Sequence, residues 1–567
     1  MNILGISHDV LICSAAITID GKVISAIPEE RLDRVKQSRV FPRLAIRECL
    51  RQAKLTMEDI DEIAVAWNPA RDLETVPSSI LNSRRWRTDH FVQVPGQILG
   101  LAGLASSSMV TLRDLYPSCP PITYVDHYLS HIGNAFFLSP YEEAAILVMD
   151  GRGEKQTQLM AVGRGSDLEM LGEVNYPHSL GLFYSSVTQF LGFKPDSDEW
   201  KVMALAAMAD SDNNYYRKLR DLVSVDEKGR MHLDLSFFEF FNFSDPRMYS
   251  DKFIEVFGNP RRKSEELGKR EMEVAAALQR VFQEVMNAIV TKLHARTKLD
   301  RLVVTGGCFM NSVYNGKVTT QTPFKECFIT SCPDDSGTSI GAALYLEAER
   351  TGVRAEHGMV HNYWGMEFSD DDCLARVKRL KLPNVTVVSE PEVCAAADLV
   401  EGKLVGWFQG RAEFGQRALG HRSILADPRD ANMKDFVNAA VKYRESFRPF
   451  APAILAERVS DYFEVEKGTR VPFMEKVLQF RSEMRDKVPA VVHDDGTGRV
   501  QTVERGIAPR FYRLIEEFEK RAGVPIVLNT SFNLNGEPVV NTPEDAVRTF
   551  YSCGLDVLYL GNVRIAK

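Results

Sequence analysis

The sequence has 567 residues, of which 44% are hydrophobic and 26% charged, and its formal net charge is −8. A chain of this length is too long for one ordinary hydrophobic core, so the composition predicts a soluble globular protein of two or three domains. The excess of acidic residues argues against a general affinity for nucleic acid, although a local basic cleft stays open.

The N-terminus has no basic region followed by a long apolar run, so no secretory signal is predicted. No uncharged apolar run is long enough to span a bilayer. Nine cysteines are scattered without a CxxC pair, which favours reduced thiols and a cytoplasmic protein.

The first predicted elements are a strand at residues 2–6 and a hairpin formed by residues 14–20 and 23–27, with a tight turn at Gly21. Charged and amphipathic stretches predict helices at 29–36 and 43–54, and an apolar run predicts a strand at 63–67. This order is typical of actin-like ATPase domains, at this stage by analogy alone.

Two histidines follow a predicted strand at residues 120–125. His127 and His131 are four residues apart, so on a helix they share one face and can share one ligand. Neutral imidazoles at this spacing suit a transition metal that a carboxylate would complete. The alternative is two ordinary helix-surface or core histidines, because HxxxH is common by chance.

Two glycine-containing loops follow predicted buried strands. Residues 144–149 lead into Asp150, Gly151 and Gly153, and residues 301–305 lead into Gly306-Gly307, with Asn311 close behind. Such loops let backbone N–H groups approach phosphate oxygens. The alternatives are a plain hairpin turn at Asp150 and a close packing turn at Gly306.

A further carboxylate, Asp335, precedes Ser-Gly and a small-residue helix start, which can aim it at a metal and N–H dipoles at phosphate. Together with the two histidines and Asp150 it makes a two-histidine, two-carboxylate set. Nitrogen and oxygen ligands without thiolate suit iron(II), manganese or zinc.

In the second half, a predicted strand at 404–408 leads into an arginine loop at 409–427, in which glycines separate three arginines. Guanidinium forks match phosphate oxygens in bidentate geometry, so the loop predicts an anion site. More cations follow at 442–448 and 499, and a strand at 525–528 ends in amides and hydroxyls that suit a small polar group. The cations are Arg411, Arg417, Arg422, Lys442, Arg444, Arg448 and Arg499, and the polar residues at the strand end are Asn529, Thr530, Ser531 and Asn533.

These motifs together resemble the O-carbamoyltransferases of natural-product biosynthesis, the family of the nodulation and aminoglycoside-antibiotic enzymes. The resemblance runs over essentially the whole chain. It rests on EER at 29–31, HxxxH at 127–131, DGRGE at 150–154, EWKVMALA at 199–206, GGCFMN at 306–311, PDDSGTSIGAA at 333–343, GRAEFGQRALGHRSILADPR at 410–429, FRPFAPA at 447–453, DGTGRVQTV at 495–503 and LNTSFNLNGEPVVNTPEDA at 528–546.

The resemblance implies an α/β protein of two domains. Residues 1–355 would be an actin/Hsp70-like domain, similar to the tRNA threonylcarbamoyl-transfer ATPases, and residues 356–567 a YrdC-like domain. The second domain would form carbamoyl adenylate from carbamoyl phosphate and ATP, releasing pyrophosphate, with Mg²⁺ accompanying the ATP. The first, with an iron-like metal, would move the carbamoyl group to a hydroxyl of a small molecule and release AMP.

The resemblance also implies residue roles. His127, His131, Asp150 and Asp335 would hold the metal. His131, Lys442 and Arg444 would be catalytic. Asp150, Gly151, Gly153, Gly306, Gly307 and Asn311 would hold the nucleotide of the first domain, and the cations of the second half, with Asn529 and Ser531, would line the activation site.

The sequence departs from the family at three places. Val10-Leu11-Ile12 stand where the family has a His-Asp or Asp, Ala204 replaces a glycine, and Gln416 replaces a proline.

The alternatives are threonylcarbamoyl-type modification of tRNA, which the net charge disfavours, and a nucleotide-sensing regulator, which would not need the metal ligands. The expected partner is therefore a small-molecule acceptor, without nucleic acid or membrane, and a homodimer is left open.

Overall fold

The computed structural model describes residues 1–8, 10–69, 71, 108–241, 246–354, 358–442 and 448–567. These residues form two compact units. The first comprises Met1–Glu29 and Arg39–Met359, and the second Glu30–Ser38 and Val360–Lys567. The second unit thus includes a short stretch from near the N-terminus that the sequence analysis places in the first domain. Within the described ranges, no helix is both long and apolar enough to cross a membrane.

The first unit begins with a five-stranded sheet in the order β3-β2-β1-β4-β5. Strands β1 and β2 pair antiparallel, β2 and β3 form the predicted hairpin, and β1 runs parallel to β4. Asp20 and Gly21 both have positive φ in the hairpin turn, as a tight two-residue turn requires. The strands are β1 Asn2–Ser7, β2 Ser14–Ile19, β3 Lys22–Pro28, β4 Glu62–Val65 and β5 Ile122–Tyr124.

A second five-stranded sheet, in the order β12-β11-β6-β7-β8, completes the frame of this unit. Strands β6 and β11 run parallel, with Val148 beside Thr305, so their carboxyl ends meet at one edge of the sheet. Asp150 and Gly306 follow those ends. The strands are β6 Glu143–Met149, β7 Gln156–Arg164, β8 Asp167–Asn175, β11 Arg301–Thr305 and β12 Glu326–Ile329, with a separate ribbon of β9 Val223–Val225 and β10 Met231–Leu233.

Two helices of the first unit approach each other through glycines. A Cβ on Gly133 would lie 2.1 Å from the carbonyl oxygen of Gly341, and one on Gly341 would lie 1.7 Å from that of Ser130. Only glycine allows this approach, which brings the helix at His127–Ala135 against the helix at Thr338–Thr351. The main helices are α1 Arg43–Ala53, α2 His127–Ala135, α3 Leu180–Phe190, α4 Glu199–Leu205, α5 Lys269–Thr297 and α6 Thr338–Thr351.

The second unit is built on an eight-stranded sheet in the order β13-β22-β21-β14-β15-β20-β16-β19. Its apolar side chains, among them the buried Trp407 and Phe518, form one hydrophobic core. The strands are β13 Val385–Val387, β14 Val405–Phe408, β15 Arg422–Ala426, β16 Ala451–Leu455, β19 Gln501–Val503, β20 Ile526–Ser531, β21 Val557–Leu560 and β22 Val563–Ala566, with a ribbon of β17 Val477–Gln479 and β18 Thr497–Arg499.

Helices pack against this sheet, as the alternation of apolar and charged residues along them requires. The main ones are α7 Asp370–Leu380, α8 Pro391–Val400, α9 Pro509–Ala522 and α10 Pro543–Tyr551. The predicted α/β class is therefore confirmed in both units. The finer assignments, actin/Hsp70-like and YrdC-like with a boundary after residue 355, stay predictions.

Candidate metal centre and arginine loop

The two predicted histidines lie in the first turns of helix α2. His127 and His131 are fully buried, and their Nε2 atoms lie 3.1 Å apart. Positions i and i+4 of a helix share one face, so the spacing seen in the sequence is what brings the two rings together.

Two carboxylates face the histidine pair. Asp150, after strand β6, places Oδ2 3.4 Å from Nε2 of His127 and 3.3 Å from Nε2 of His131. Asp335, in the turn before helix α6, places Oδ1 3.4 and 3.7 Å from the same two nitrogens. The four ligand atoms all lie within 4.8 Å of one another. The structure therefore brings together the whole predicted set from three separate parts of the chain.

Main-chain groups orient these ligands. Nδ1 of His127 lies 3.3 Å from the carbonyl oxygen of Ala66, and a bond there directs the Nε2 lone pair towards the carboxylates. Oδ1 of Asp150 accepts from the N–H groups of Gly151 at 2.8 Å and Gly307 at 3.0 Å. Oδ2 of Asp335 accepts from the N–H of Leu11 at 3.1 Å. Each of these residues therefore keeps one ligand atom for the centre.

The spacing and charge of the four groups fit one metal ion. Ligands about 2.1 Å from a tetrahedral ion lie about 3.4 Å apart, close to the separations between these histidines and carboxylates. Two Nε2 atoms at hydrogen-bond distance cannot both carry a proton, and a shared cation removes that conflict. The nitrogen and oxygen donors suit iron(II), manganese or zinc.

Without an ion, the carboxylates and histidines perturb one another strongly. Burial by itself would lower the pKa of His127, but Asp150 and Asp335 hold it well above its ordinary value. Burial would likewise raise the pKa of Asp150, but the two histidines hold it well below. The two carboxylates thus stabilise a positive charge on the buried imidazoles, and a metal cation that replaced the proton would be stabilised by the same two carboxylates.

Two of the glycines predicted to hold a nucleotide allow close packing of the chain around this centre. Gly306 has a φ of +95°, and a Cβ there would lie 2.2 Å from the carbonyl oxygen of Met149. A Cβ on Gly153 would lie 2.7 Å from the ring of Tyr128. These contacts match the close-packing alternative. The nucleotide roles of Gly151, Gly153, Gly306 and Gly307 stay predictions.

Asn311 has structural partners of its own. Its Oδ1 accepts from the N–H of Tyr314, which caps a helical turn, and its side-chain amide pairs with that of Gln279 at 2.9 and 3.0 Å. Its nucleotide role also stays a prediction.

Glu154, to which the sequence motifs assign no separate role, is 1% exposed. Its Oε1 accepts from the N–H of His127 at 2.9 Å and of Asn68 at 2.7 Å, and burial raises its pKa. The carboxylate therefore fixes the first turn of the helix that carries both histidines. The available signal was an acidic residue at the end of the DGRGE motif.

The loop at 10–12, where the sequence departs from the family, also has an observable contact. Leu11 meets Asp335 through its main-chain N–H, a group that every residue except proline has. The departure in side chains therefore leaves this contact available.

In the second unit, Arg422 is fully buried, and its guanidinium lies over the ring of Phe408 at 3.6 Å. Burial lowers its pKa to about 10. Its terminal nitrogens donate to four main-chain carbonyls, those of Met366, Gln409, Gly410 and His421. With these donors engaged, Arg422 braces the loop, and its contact with phosphate stays a prediction.

Other predicted residues surround the same loop. Arg411 donates to the carbonyl oxygens of Gly365 and Trp364 at 3.1 and 3.3 Å. Nδ2 of Asn529 donates to the carbonyl oxygen of Ala418 at 3.1 Å.

At the end of strand β20, Nζ of Lys442 donates to Oδ1 of Asn533 at 2.9 Å and lies 3.4 Å from Oγ of Ser531. Arg448 is buried, and Arg417 and Arg499 are partly exposed. The predicted catalytic Arg444 lies outside the described residues. The binding roles of these side chains stay predictions.

Comparison with known proteins gives similarity over nearly the whole chain. An uncharacterized protein of Synechocystis is 36% identical over 100% of this chain and 97% of its own length. Nodulation protein NolNO of Sinorhizobium fredii is 35% identical over 98% of this chain and 78% of its own.

Among solved structures, HypF in its phosphate- and nucleotide-bound form is 13% identical, covering 63% of this chain and 56% of that one, with a TM-score of 0.32. A likeness of that size supports no conclusion on fold or function.

Two family models also match. The model for the N-terminus of carbamoyltransferases matches residues 2–344, which include the clustered side chains of His127, His131, Asp150 and Asp335. The model for the C-terminus of carbamoyltransferases matches residues 396–567, which include the arginine loop. The chain belongs to the carbamoyltransferase family.

Proposed function

We propose that this carbamoyltransferase is ATP-dependent and transfers a carbamoyl group to a hydroxyl oxygen of a small natural-product acceptor. The observation that carries the proposal is the buried set of His127, His131, Asp150 and Asp335, whose facing atoms lie within 4.8 Å of one another. A family member with no chemistry in its first unit would not need to bury two carboxylates against two imidazoles.

The first step belongs to the second unit. Water releases carbamate and phosphate from carbamoyl phosphate, and a carbamate oxygen then attacks the α-phosphorus of Mg²⁺-bound ATP. The new P–O bond gives carbamoyl adenylate as pyrophosphate leaves. Arg417, Arg448 and Lys442 would hold the phosphate oxygens in place and offset their charge, which is the main catalytic need of a phosphoryl-type displacement.

The second step belongs to the first unit. The acceptor oxygen attacks the carbamoyl carbon, the bond from that carbon to the AMP oxygen breaks, and the hydroxyl proton leaves with AMP or solvent. A metal held by the four ligands, iron(II) or alternatively manganese or zinc, would supply Lewis-acid polarisation when bound. Glu154 would keep the ligand helix in place, and Leu11 would hold Asp335.

The expected partners follow from the same proposal. The acceptor is a small molecule with a free hydroxyl, and the net charge of −8 gives no support for a nucleic-acid partner. The proposal assigns no membrane contact, places the reaction in the cytoplasm, and is compatible with a homodimer.

The test supplies the purified protein with carbamoyl phosphate, ATP, Mg²⁺ and a panel of hydroxyl compounds. Pyrophosphate release and the mass of each compound are followed in parallel. We expect a carbamoyl mass gain on an acceptor, dependent on both carbamoyl phosphate and ATP. Carbamoyl transfer that proceeds equally well without ATP would contradict the adenylate route.

A further inference from the structure

A short stretch of the N-terminal sequence, Glu30–Ser38, belongs to the second unit. Two arginines hold it there. Nη2 of Arg31 donates to the carbonyl oxygen of Gly415 at 2.7 Å. Arg34 donates to the carbonyl oxygens of Val539 at 2.7 Å and Pro538 at 2.9 Å. Arg31 is only 3% exposed, so its charge is placed inside the unit and not on its surface.

The carbonyl group that accepts from Arg31 belongs to Gly415, in the part of the arginine loop that carries Arg417. Gly415 has a φ of +118°, a conformation that favours glycine, and it lies two residues before Arg417. On the far side, Ala418 is held through its carbonyl oxygen by Nδ2 of Asn529 at 3.1 Å. Arg31 and Asn529 therefore fix the main chain on the two sides of Arg417.

The loop base is braced independently of Arg31. Glu413 is 2% exposed, and its Oε1 accepts N–H groups from Leu419, His421 and Arg422. The bonds to Glu413 thus connect residues within the loop and do not involve the carbonyl oxygen of Gly415. That oxygen accepts from Arg31, which lies outside the C-terminal half of the sequence.

Charge gives a second reason to associate Arg31 with the predicted anion site. The low pKa of Arg422 is caused mainly by burial, and the nearby cation of Arg31 lowers it further, against the opposing effect of Glu413. Two buried guanidinium groups close to one another create a positive potential that favours a bound anion. The polyphosphate of a nucleotide is such an anion.

We propose that Arg31 is a positioning residue of the anion site in the second unit, holding Gly415 so that Arg417 meets the triphosphate of ATP. This inference rests on the proposed function. Residues 360–567 therefore lack one part of their own site, and the chain supplies it from residue 31.

The test compares three variants of the full-length protein. Arg31→Met removes the donor and the charge, Arg31→Lys keeps the charge but loses the planar fork, and Arg34→Met is the matched control. The control breaks the same kind of main-chain contact in the same stretch, but at residues 538–539 and not at the arginine loop. Pyrophosphate release, thermal unfolding and transfer from supplied carbamoyl adenylate are measured for each.

Loss of a charged hydrogen bond predicts roughly a 10- to 100-fold fall in kcat/KM for ATP in Arg31→Met. The loss should include a higher KM for ATP, with a smaller effect in Arg31→Lys. Arg34→Met should keep the wild-type kinetics even if its unfolding temperature falls. All three variants should still transfer from supplied carbamoyl adenylate.

Two results would overturn the inference. One is wild-type KM and kcat for ATP in Arg31→Met. The other is equal kinetic loss in the Arg31→Met and Arg34→Met variants together with equal loss of thermal stability, which would make Arg31 a docking contact of the stretch and nothing more. If the wild-type protein released no pyrophosphate from carbamoyl phosphate and ATP, the proposed function itself would fail, and the two failures are thereby distinguished.

Discussion

Replacing His131 by alanine should separate the two half-reactions. The side chain is fully buried, and its Nε2 lies 3.1 Å from His127, 3.3 Å from Asp150 and 3.7 Å from Asp335. The variant therefore removes one of the four clustered side chains of the first unit. Pyrophosphate should still form, while the bound metal and the transfer to acceptor are lost.

The size of the effect follows from the ligand count. Four-ligand protein sites bind zinc with about 10–16 kcal/mol, so an equal share for one ligand is about 2.5–4 kcal/mol, or roughly a 60- to 700-fold loss of affinity. Elemental analysis of the purified protein measures the metal, and product mass measures transfer. His178→Ala is the matched control, because this histidine belongs to the same unit and bonds the N–H of Leu233 instead.

The ligand assignment would be wrong if His131→Ala kept wild-type metal content and transfer. The division of labour between the units would be wrong if a folded His131→Ala lost pyrophosphate release as completely as transfer. Thermal unfolding of the variant shows whether the fold is intact.

Substitutions at Gly341, Arg417 and His8 should each have a different effect. Gly341→Ala should force helices α2 and α6 apart, because its Cβ would lie 1.7 Å from a main-chain oxygen. The metal content and the unfolding temperature should therefore fall. The control Gly506→Ala, which has open space around it, should keep the wild-type value of both. Arg417→Ala should lower pyrophosphate release roughly 30- to 1000-fold, as expected for a lost phosphate contact of about 2–4 kcal/mol, yet leave transfer from supplied carbamoyl adenylate unchanged; equal loss in both assays would contradict the assignment. Burial lowers the pKa of His8 to about 4, so the imidazole binds a proton less well in the folded protein than in the unfolded chain. The free energy of unfolding should therefore fall as the pH drops from about 6.5 towards 4, by up to roughly 3 kcal/mol. Urea unfolding over that range should show a smaller loss for His8→Gln, and an unchanged pH dependence would refute the reasoning.

Local pattern was enough to predict the parts of the site that depend on local geometry. The spacing of His127 and His131 fixes them on one helical face, since a helix repeats every 3.6 residues. The position of Asp150 after a predicted buried strand places its carboxylate at the edge of a sheet, where α/β proteins bind metal or phosphate groups. The α/β class is implied by the resemblance of the motifs to the O-carbamoyltransferases, and the sheets and helices of both units confirm it.

Contacts between distant parts of the chain were decided by the tertiary structure. The Gly133–Gly341 approach brings Asp335 to the histidines, and no local pattern states that these two glycines meet. The burial of Arg422 is likewise decided by the folded structure, because Met366, 56 residues away, joins the carbonyls of the loop itself around the guanidinium group. Arg31 belongs to the second unit for the same physical reason, since a side chain is fixed by the donors and acceptors that the folded chain brings to it. The acceptor of Arg31, the carbonyl oxygen of Gly415, lies 384 residues away along the sequence.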